Sequence, residues 1–420
     1  MVYNIHQQVF GLSWSSNYLT GKQFESVGHM QSDIEKALLG LIKEYGAWDV
    51  VWGPVVWKVH PLNILTGPDN VWYVAYNTTI NTYVVAIAGS ATYSAFDSLK
   101  EDGDVGKSVD LMDWINSGLT KPFKPLNGSQ VKDGAKAYIS VGTASGVQIL
   151  LSNAAPTSAH APGTYLGDFL ATIPASSTLI FTGHSLGGAL SPTLALAWWK
   201  SSMSKKVQLS NVKTYPSAGP TPGNLKFVES YEEMFPPPSI PNPTGYQHWN
   251  VNLVNTSDVI PQAWCTSESD EPDQNIHRIP DFYDGTSYCK SVLRFALALP
   301  LAISADTSNL TYRPIKKTTF TGAVWPVSHP SELDSSSKGW LTDALFEHLK
   351  AYQQFVGIVD SSKALQFAEV VHEEDIGKSA IHWPILREIV CTAQDPRNKE
   401  KLEAAKLAAS LEESSYGQVE

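Results

Sequence analysis

The sequence has 420 residues, of which 43% are hydrophobic and only 17% are charged. This composition can build a large core and excludes an intrinsically disordered chain. With 30 basic and 41 acidic residues the formal net charge is −11, which argues against a general nucleic-acid-binding protein. No apolar run reaches the roughly 18 residues that a transmembrane helix needs.

The beginning of the chain lacks the pattern of a signal peptide. We therefore expect either a cytoplasmic protein or a mature secreted form. The sequence has three cysteines. Cys265 and Cys289 lie in one segment and could form a disulfide, but free buried thiols are an equally plausible interpretation.

The first clear elements predict a β-hairpin. Residues 71–76 and 83–88 are rich in β-branched and aromatic side chains, and the polar residues 77–81 between them are typical of a turn. Further along, apolar residues recur at helical spacing and predict an amphipathic helix near residues 106–119. They are Leu111, Trp114, Ile115 and Leu119.

The most informative segment is Gly183-His184-Ser185-Leu186-Gly187. It follows the apolar run 178–182 and precedes a stretch of small residues, so the pattern predicts a strand, a sharp turn and a helix. A serine at the apex of such a turn presents its hydroxyl in a strained backbone conformation. The glycines on either side are expected because larger side chains would clash where the strand and the helix nearly touch.

The later elements continue an alternation of strands and helices. Strands are predicted at 207–215 and 249–254, a hairpin at 310–312 with 318–320, and a helix from about residue 341. This order predicts an α/β fold with a mostly parallel central sheet and helices on both faces. We expect one domain over residues 1–395 with an insertion at about 262–308, followed by a charged helical tail at 396–420.

A serine hydroxyl is a poor nucleophile unless a base and an orienting acid accompany it. In α/β-hydrolase-like folds these residues follow the serine in the order acid, then histidine. Asp258 is the best candidate acid because it closely follows a predicted strand, although an aspartate there could simply cap a turn. Spacing alone leaves the base open, with His348 and His329 as the leading candidates. The expected oxyanion donors are the backbone N–H of Leu186 and the residue Ser90, which ends an earlier strand.

These pieces together resemble the class 3 lipases over roughly residues 70–355. The segment 84–90 is similar to the family's oxyanion strand, although Ala88 stands where the family usually has arginine. The segment Gly183–Gly188 resembles its nucleophile elbow, and Asn255 with Asp258 resembles its acid motif. His348-Leu349 with Tyr352 resembles its histidine motif. The resemblance implies an α/β-hydrolase fold and favours His348 over His329 as the base.

The resemblance implies a serine carboxylic-ester hydrolase that acts on lipid-like esters and needs no metal or cofactor. Acyl transfer to an alcohol, hydrolysis of a soluble ester and a catalytically silent binding protein are the alternatives. Residues 106–119 would then form part of a lid that makes transient contact with a lipid interface, or an ordinary helix packed on the core.

Overall fold

The computed structural model describes most of the chain up to Ile358. The described residues are 2–19, 25–61, 67–89, 105–241, 244–282, 298–322 and 337–358. The predicted C-terminal tail at 396–420 lies outside these residues, and the predicted insertion is described only in part.

Five of the helices within the described residues begin at side chains that bond the first free backbone N–H groups. Asp110 accepts from the N–H groups of Met112 and Asp113, and Asn224 accepts from Phe227 N–H. The helices are α1 (Ile5–Ser16), α2 (Val27–Leu41), α3 (Leu111–Ser117), α4 (Val141–Ser152), α5 (Leu166–Leu170), α6 (Leu186–Lys200), α7 (Leu225–Met234), α8 (Leu299–Thr307), α9 (Ser337–His348) and α10 (Lys350–Val356).

The strands of the described residues form a large central sheet and a smaller second sheet. They are β1 (Asp49–Trp57), β2 (Asn70–Asn77), β3 (Thr82–Ile87), β4 (Ser108–Asp110), β5 (Tyr138–Ser140), β6 (Thr178–His184), β7 (Val212–Ser217), β8 (Gly223–Asn224), β9 (Asn252–Asn255), β10 (Tyr312–Arg313) and β11 (Lys317–Phe320).

The central sheet has the strand order β1-β2-β3-β6-β7-β9-β11. Within this sheet the strands run parallel to one another from β3 onward, namely β3, β6, β7, β9 and β11. At one edge β2 pairs antiparallel with β3, and β1 pairs antiparallel with β2. The predicted hairpin is the antiparallel pair of β2 and β3, in which Tyr76 lies opposite Tyr83. The predicted α/β class with a mostly parallel sheet is therefore confirmed.

The hairpin predicted around residues 310–320 is wrong. Tyr312–Arg313 pairs with Gly223–Asn224 in the second sheet, which has the order β10-β8-β5-β4. Lys317–Phe320 pairs in parallel with Asn252–Asn255 in the central sheet. Pro314 follows β10 directly and has no N–H to extend that pairing, and Ile315 turns into the main core cluster. The two strands therefore diverge into different sheets.

The hydrophobic core lies on both faces of the central sheet. On one face α4 and α6 cover the sheet with residues such as Val147, Leu150 and Leu194. On the other face α1 contributes Val9 and Phe10, packed with residues of α2 and α10. Because the strands β3, β6, β7, β9 and β11 are parallel, their carboxyl ends lie at one edge of the sheet. Open α/β sheets carry their sites at this edge.

The predicted helix of residues 106–119 is α3, and its apolar side chains belong to the main core cluster. Trp114 is 2% exposed, packs edge-on against Phe123 and donates from its indole nitrogen to the Lys121 carbonyl at 3.2 Å. Of the two interpretations given above, this packing favours the core helix. Among the described residues, no helix combines the length and the apolar character needed to cross a membrane.

Candidate active site

Ser185 stands at the turn between β6 and α6 in a strained conformation. Its backbone angles are φ 60° and ψ −125°, in a region that L-residues rarely occupy. The Ser185 N–H donates to the Ser217 carbonyl at 3.0 Å, and the Ser185 carbonyl accepts from Gly188 N–H at 2.8 Å. The turn is thus tied to the end of the neighbouring strand β7, which holds the strained residue in place.

The glycines around Ser185 are required by close backbone contacts. A Cβ atom on Gly183 would lie 2.2 Å from the Gly187 carbonyl oxygen, and one on Gly187 would lie 2.3 Å from the Ile87 carbonyl oxygen. A Cβ on Gly188 would lie 2.4 Å from the Ser217 carbonyl oxygen. These contacts confirm the steric reason given from the sequence: α6 can start this close to β3, β6 and β7 only without side chains.

The structure brings the predicted acid and base together across 90 residues of sequence. The Nδ1 atom of His348 lies 2.9 Å from Oδ2 of Asp258. Asp258 is completely buried and His348 is 5% exposed. Because the carboxylate accepts from Nδ1–H, the other ring nitrogen is left to accept a proton, which is the tautomer that a general base needs.

Two further residues fix the Asp258 carboxylate. Its Oδ2 atom accepts a second hydrogen bond from the Tyr352 hydroxyl at 2.9 Å, and its Oδ1 atom accepts from Ile260 N–H at 2.9 Å. The same Tyr352 hydroxyl accepts from Asn255 N–H at 2.9 Å. The acid is therefore held by donors from the turn after β9 and from α10, and β9 in turn holds the Tyr352 hydroxyl.

Asn255 joins the end of β9 to the helix that carries the histidine. Its side-chain nitrogen donates to the Glu347 carbonyl at 2.9 Å and to the Glu347 carboxylate at 2.6 Å. Its side-chain oxygen accepts from Gly322 N–H at 2.8 Å. Burial raises the pKa of Glu347, the bond from Asn255 opposes this rise, and the nearby Asp258 adds to it.

His184 is the functional neighbour that the sequence analysis did not single out. One ring nitrogen, Nε2, lies 2.8 Å from the His348 carbonyl oxygen, and Nδ1 lies 3.0 Å from the Ser217 hydroxyl. A carbonyl can only accept, so Nε2 carries the proton and Nδ1 accepts from Ser217. Burial, and then the adjacent His348, lower the pKa of His184 well below its usual value, which keeps the ring neutral.

His184 also connects the elbow to the base. Its ring centroid lies 4.8 Å from that of His348, and it directly precedes Ser185 in the chain. The available signal in the sequence was a histidine placed in an otherwise apolar strand. Its partners, however, are 33 and 164 residues away, and no local pattern identifies them.

The predicted oxyanion donors are described only in part. Leu186 is the first residue of α6, so its N–H lies at a helix N-terminus, where backbone donors attract negative charge. Ser90 lies outside the described residues. The residue before it, Gly89, is in direct contact with the elbow, because a Cβ on Gly89 would lie 2.8 Å from the Ser185 Cβ atom.

Of the other histidines that follow Asp258 in the chain, His277 does not join this group. His277 lies in the short 3₁₀ segment Ile276–Asp281, with a 43% exposed side chain whose Nδ1 atom is 3.9 Å from a Glu268 oxygen. His329 lies outside the described residues.

Cys265 is buried, which raises the pKa of its thiol to about 11. Cys289, with which it could pair, lies outside the described residues.

One surface group of the described residues has side chains that could share a cation. Glu25, His29 and Asp33 place one ligand atom each within 4.8 Å of one another at the start of α2. The two nitrogens of His29 face the two carboxylates separately, at 3.9 and 3.7 Å. The His29 ring therefore stands between the two carboxylates.

The mostly parallel sheet, with a strained serine between β6 and α6, defines an α/β-hydrolase fold. Residues 150–267, which include Ser185 and Asp258, match the family described as lipase (class 3). The resemblance to class 3 lipases inferred from the sequence is thereby confirmed over this segment.

A solved lipase structure shares the fold, and other lipase structures align with lower similarity. The crystal structure of M37 lipase is 21% identical with a TM-score of 0.63, and the alignment covers 90% of this chain and 99% of that one. Lipase II from Rhizopus niveus is 12% identical with a TM-score of 0.36, covering 65% and 79%. The lipase from Rhizopus microsporus var. chinensis is 16% identical with a TM-score of 0.33, covering 62% and 70%. A search among curated proteins returns no match.

Proposed function

We propose that this protein hydrolyses lipid-like carboxylic esters with Ser185 as nucleophile, His348 as base and Asp258 as the acid that orients it. The observation that carries the proposal is a strained serine elbow that His184 joins, through the His348 carbonyl, to a buried, hydrogen-bonded histidine–aspartate pair. The class 3 lipase match over residues 150–267 supports the choice of an ester as substrate.

The proposed reaction has two halves. In the first, Nε2 of His348 takes the Ser185 proton while the serine oxygen attacks the ester carbonyl, and Asp258 stabilises the imidazolium that forms. The oxyanion accepts from the N–H of Leu186 and from Ser90. His348 then returns the proton to the leaving alcohol. In the second half, water attacks the acyl-enzyme by the same route and releases the carboxylic acid.

The test compares wild type with Ser185→Ala, His348→Ala and Asp258→Asn on a short soluble ester and on an emulsified long-chain ester. We expect Ser185→Ala to lower kcat by roughly 10⁴-fold or more, and labelling of Ser185 by a fluorophosphonate should stop with it. Ser201→Ala, at the other end of α6, is the matched control and should keep full activity. Full turnover by pure Ser185→Ala protein would overturn the proposal.

The same assay separates the alternatives. Acyl transfer would show as a new ester when an alcohol acceptor is added, and a soluble-ester enzyme would not act on the emulsion. A catalytically silent binding protein would neither turn over any ester nor react with the phosphonate.

A lid role for α3 is the alternative to a helix that stays packed on the core. It requires the helix to leave the core and expose its apolar face at a lipid surface. Trp114 fills the centre of that face, so Trp114→Ser should reduce activity selectively on the emulsion if α3 opens as a lid.

A further inference from the structure

The side chain of His184 joins the end of β6 to the end of the helix that carries the candidate base. Its Nε2–H donates to the His348 carbonyl oxygen at 2.8 Å, across 164 residues of sequence. The strand β6 ends at His184 and the helix α9 ends at His348. The last carbonyl groups of an α-helix have no partner within that helix, so His184 supplies a donor there and fixes the backbone of His348 against β6.

The bonds from His184 and from Asp258 hold His348 at different points. Asp258 follows β9, and its carboxylate holds the His348 ring at Nδ1. That bond orients the ring, but it does not set the distance between the ring and β6. Because Ser185 directly follows His184 in the chain, the bond from His184 links the backbone of the base to the nucleophile through a single residue.

Aromatic side chains enclose the His184 ring, which is 2% exposed. The ring of Trp14 from α1 lies edge-on at 5.3 Å between centroids, and the ring of Tyr352 from α10 lies edge-on at 5.0 Å. The ring of His348 itself lies at 4.8 Å. This packing keeps the His184 ring in one orientation, so that each of its nitrogens faces one partner.

The Ser217 hydroxyl determines which nitrogen of His184 carries the proton. Burial, and then the adjacent His348, hold the pKa of His184 well below its usual value, so the ring is neutral and carries one N–H. The hydroxyl of Ser217 is buried and lies 3.0 Å from Nδ1. When this hydroxyl donates to Nδ1, the proton of the ring must lie on Nε2, where it meets the His348 carbonyl.

We propose that His184 is a positioning residue for the base, and that its Nε2–H holds the His348 backbone at the distance from Ser185 that proton transfer requires. This inference rests on the proposed function, because it concerns the base of the same reaction. A general base must come within about 2.6–3.2 Å of the atom that gives up its proton. A misplacement of about 1 Å can cost roughly 100-fold in rate, so loss of this bond acts mainly on kcat.

Two amide variants separate the two hydrogen bonds of His184. A glutamine can place its side-chain nitrogen where Nε2 stands, and an asparagine can place its side-chain oxygen where Nδ1 stands. His184→Gln therefore keeps a donor for the His348 carbonyl, whereas His184→Asn keeps an acceptor for Ser217 and loses the bond to His348. Both variants lose the ring contacts with Trp14 and Tyr352, so they share the loss of packing.

The matched control is Thr182→Val, two residues before His184 in β6. The Thr182 hydroxyl is buried and donates to the Tyr215 carbonyl of β7 at 2.7 Å. Its loss removes a buried hydrogen bond between the same two strands without touching the link to the base. The measurements are kcat and KM on a soluble ester, the rate of Ser185 labelling by a fluorophosphonate, and the melting temperature.

We expect His184→Asn to lower kcat and the labelling rate by about 10- to 100-fold, while KM changes less than about threefold. His184→Gln should stay within about threefold of wild type in both rates, because it keeps the donor to the His348 carbonyl. The two variants should melt at similar temperatures below that of wild type. Thr182→Val should also lower the melting temperature, but its kcat and labelling rate should stay near wild type.

A double-mutant cycle tests whether His184 acts through the base. In His348→Ala the imidazole is absent, so its position no longer matters, and adding His184→Asn should not lower the residual hydrolysis further. A role that is only structural would lower the residual rate in the double variant as well.

Two results overturn the inference. The first is His184→Asn with kcat and labelling rate equal to those of His184→Gln. The second is the same fold loss from His184→Asn whether or not the His348 ring is present. Failure of the proposed function looks different, because Ser185→Ala or His348→Ala would then keep wild-type activity in the same assay.

Discussion

The hydroxyl of Tyr352 connects the candidate acid to the backbone of β9, and removing it should damage stability and activity in measurable amounts. In Tyr352→Phe the ring can keep its edge-on contact with Phe320, at 5.1 Å between centroids. The variant loses the donor to Asp258 Oδ2 and the acceptor of Asn255 N–H, both at 2.9 Å.

The magnitude follows from these two bonds. A hydrogen bond to a charged group contributes about 1.5–3 kcal/mol, and a buried N–H left without a partner costs about 1–3 kcal/mol. The two effects overlap, and we expect a total loss of about 2–4 kcal/mol. With an unfolding entropy of about 2.1 cal/mol/K per residue, a chain of 420 residues loses about 1 °C per kcal/mol. The melting temperature should therefore fall by about 2–4 °C.

The activity should fall as well, because Asp258 loses one of the donors that hold its carboxylate against His348. We expect kcat to drop by roughly tenfold, equivalent to about 1.4 kcal/mol, with little change in KM. The assay is hydrolysis of a short soluble ester, with melting followed by fluorescence on the same samples.

The control is Tyr231→Phe. Tyr231 is also fully buried, and its hydroxyl bonds that of Thr214 away from the site. This variant should lose stability but not activity. If Tyr352→Phe melts and turns over like wild type, the reasoning fails. If it loses activity only as much as Tyr231→Phe does, the hydroxyl is structural and does not support the acid.

Three further outcomes are expected. Gly187→Ala should yield little folded protein, because the added Cβ would lie 2.3 Å from a backbone oxygen. The control Gly28→Ala should express and melt normally, because no atom lies within 4 Å of the added Cβ. Equal yields of the two variants would refute the steric argument. Burial, then the nearby Lys213 and His248, lower the pKa of His6 from 6.5 to about 4, so the folded protein holds this ring neutral. The contribution of the neutral His6 ring to folding stability is present above pH 6.5 and is lost as the pH falls toward 4. His6→Gln should therefore make the melting temperature depend less on pH across that window. An unchanged slope of melting temperature against pH would contradict this. Trp114→Ser should reduce turnover of soluble and emulsified esters equally, in step with the melting temperature, because Trp114 is 2% exposed in the core; a selective loss on the emulsion would instead establish the lid.

The elbow could be predicted because all of its information is local. A strand, two flanking glycines and a run of small residues lie within about twenty positions around Ser185, and the steric rule linking them needs no distant partner. The pairing of Asp258 with His348 came from chain order and family-like motifs. The structure adds the reason why these two residues meet, which is that β9 ends beside the helix that carries His348.

What the sequence did not reveal is set by distant contacts. The strands at Tyr312 and Lys317 have ordinary β-propensity, and only their partners in different sheets show that they do not form a hairpin. The contacts of His184 likewise depend on a backbone group far along the chain. Every residue type offers the same backbone carbonyl, so the type of the partner residue does not reveal a bond from a side chain to the backbone. Spacing and composition therefore cannot locate that partner.

The first helix also has a consequence for how the protein is made. The Gln7 side chain donates to the Val356 carbonyl at 2.9 Å, so α1 closes against a segment translated 349 residues later. At about 5–20 residues per second, synthesis of that interval takes roughly 20–70 s. During that time α1 lacks its last partner, and Ser185 is made long before His348. If the two residues act as proposed, the nascent chain cannot hydrolyse an ester until nearly all of the described fold has emerged.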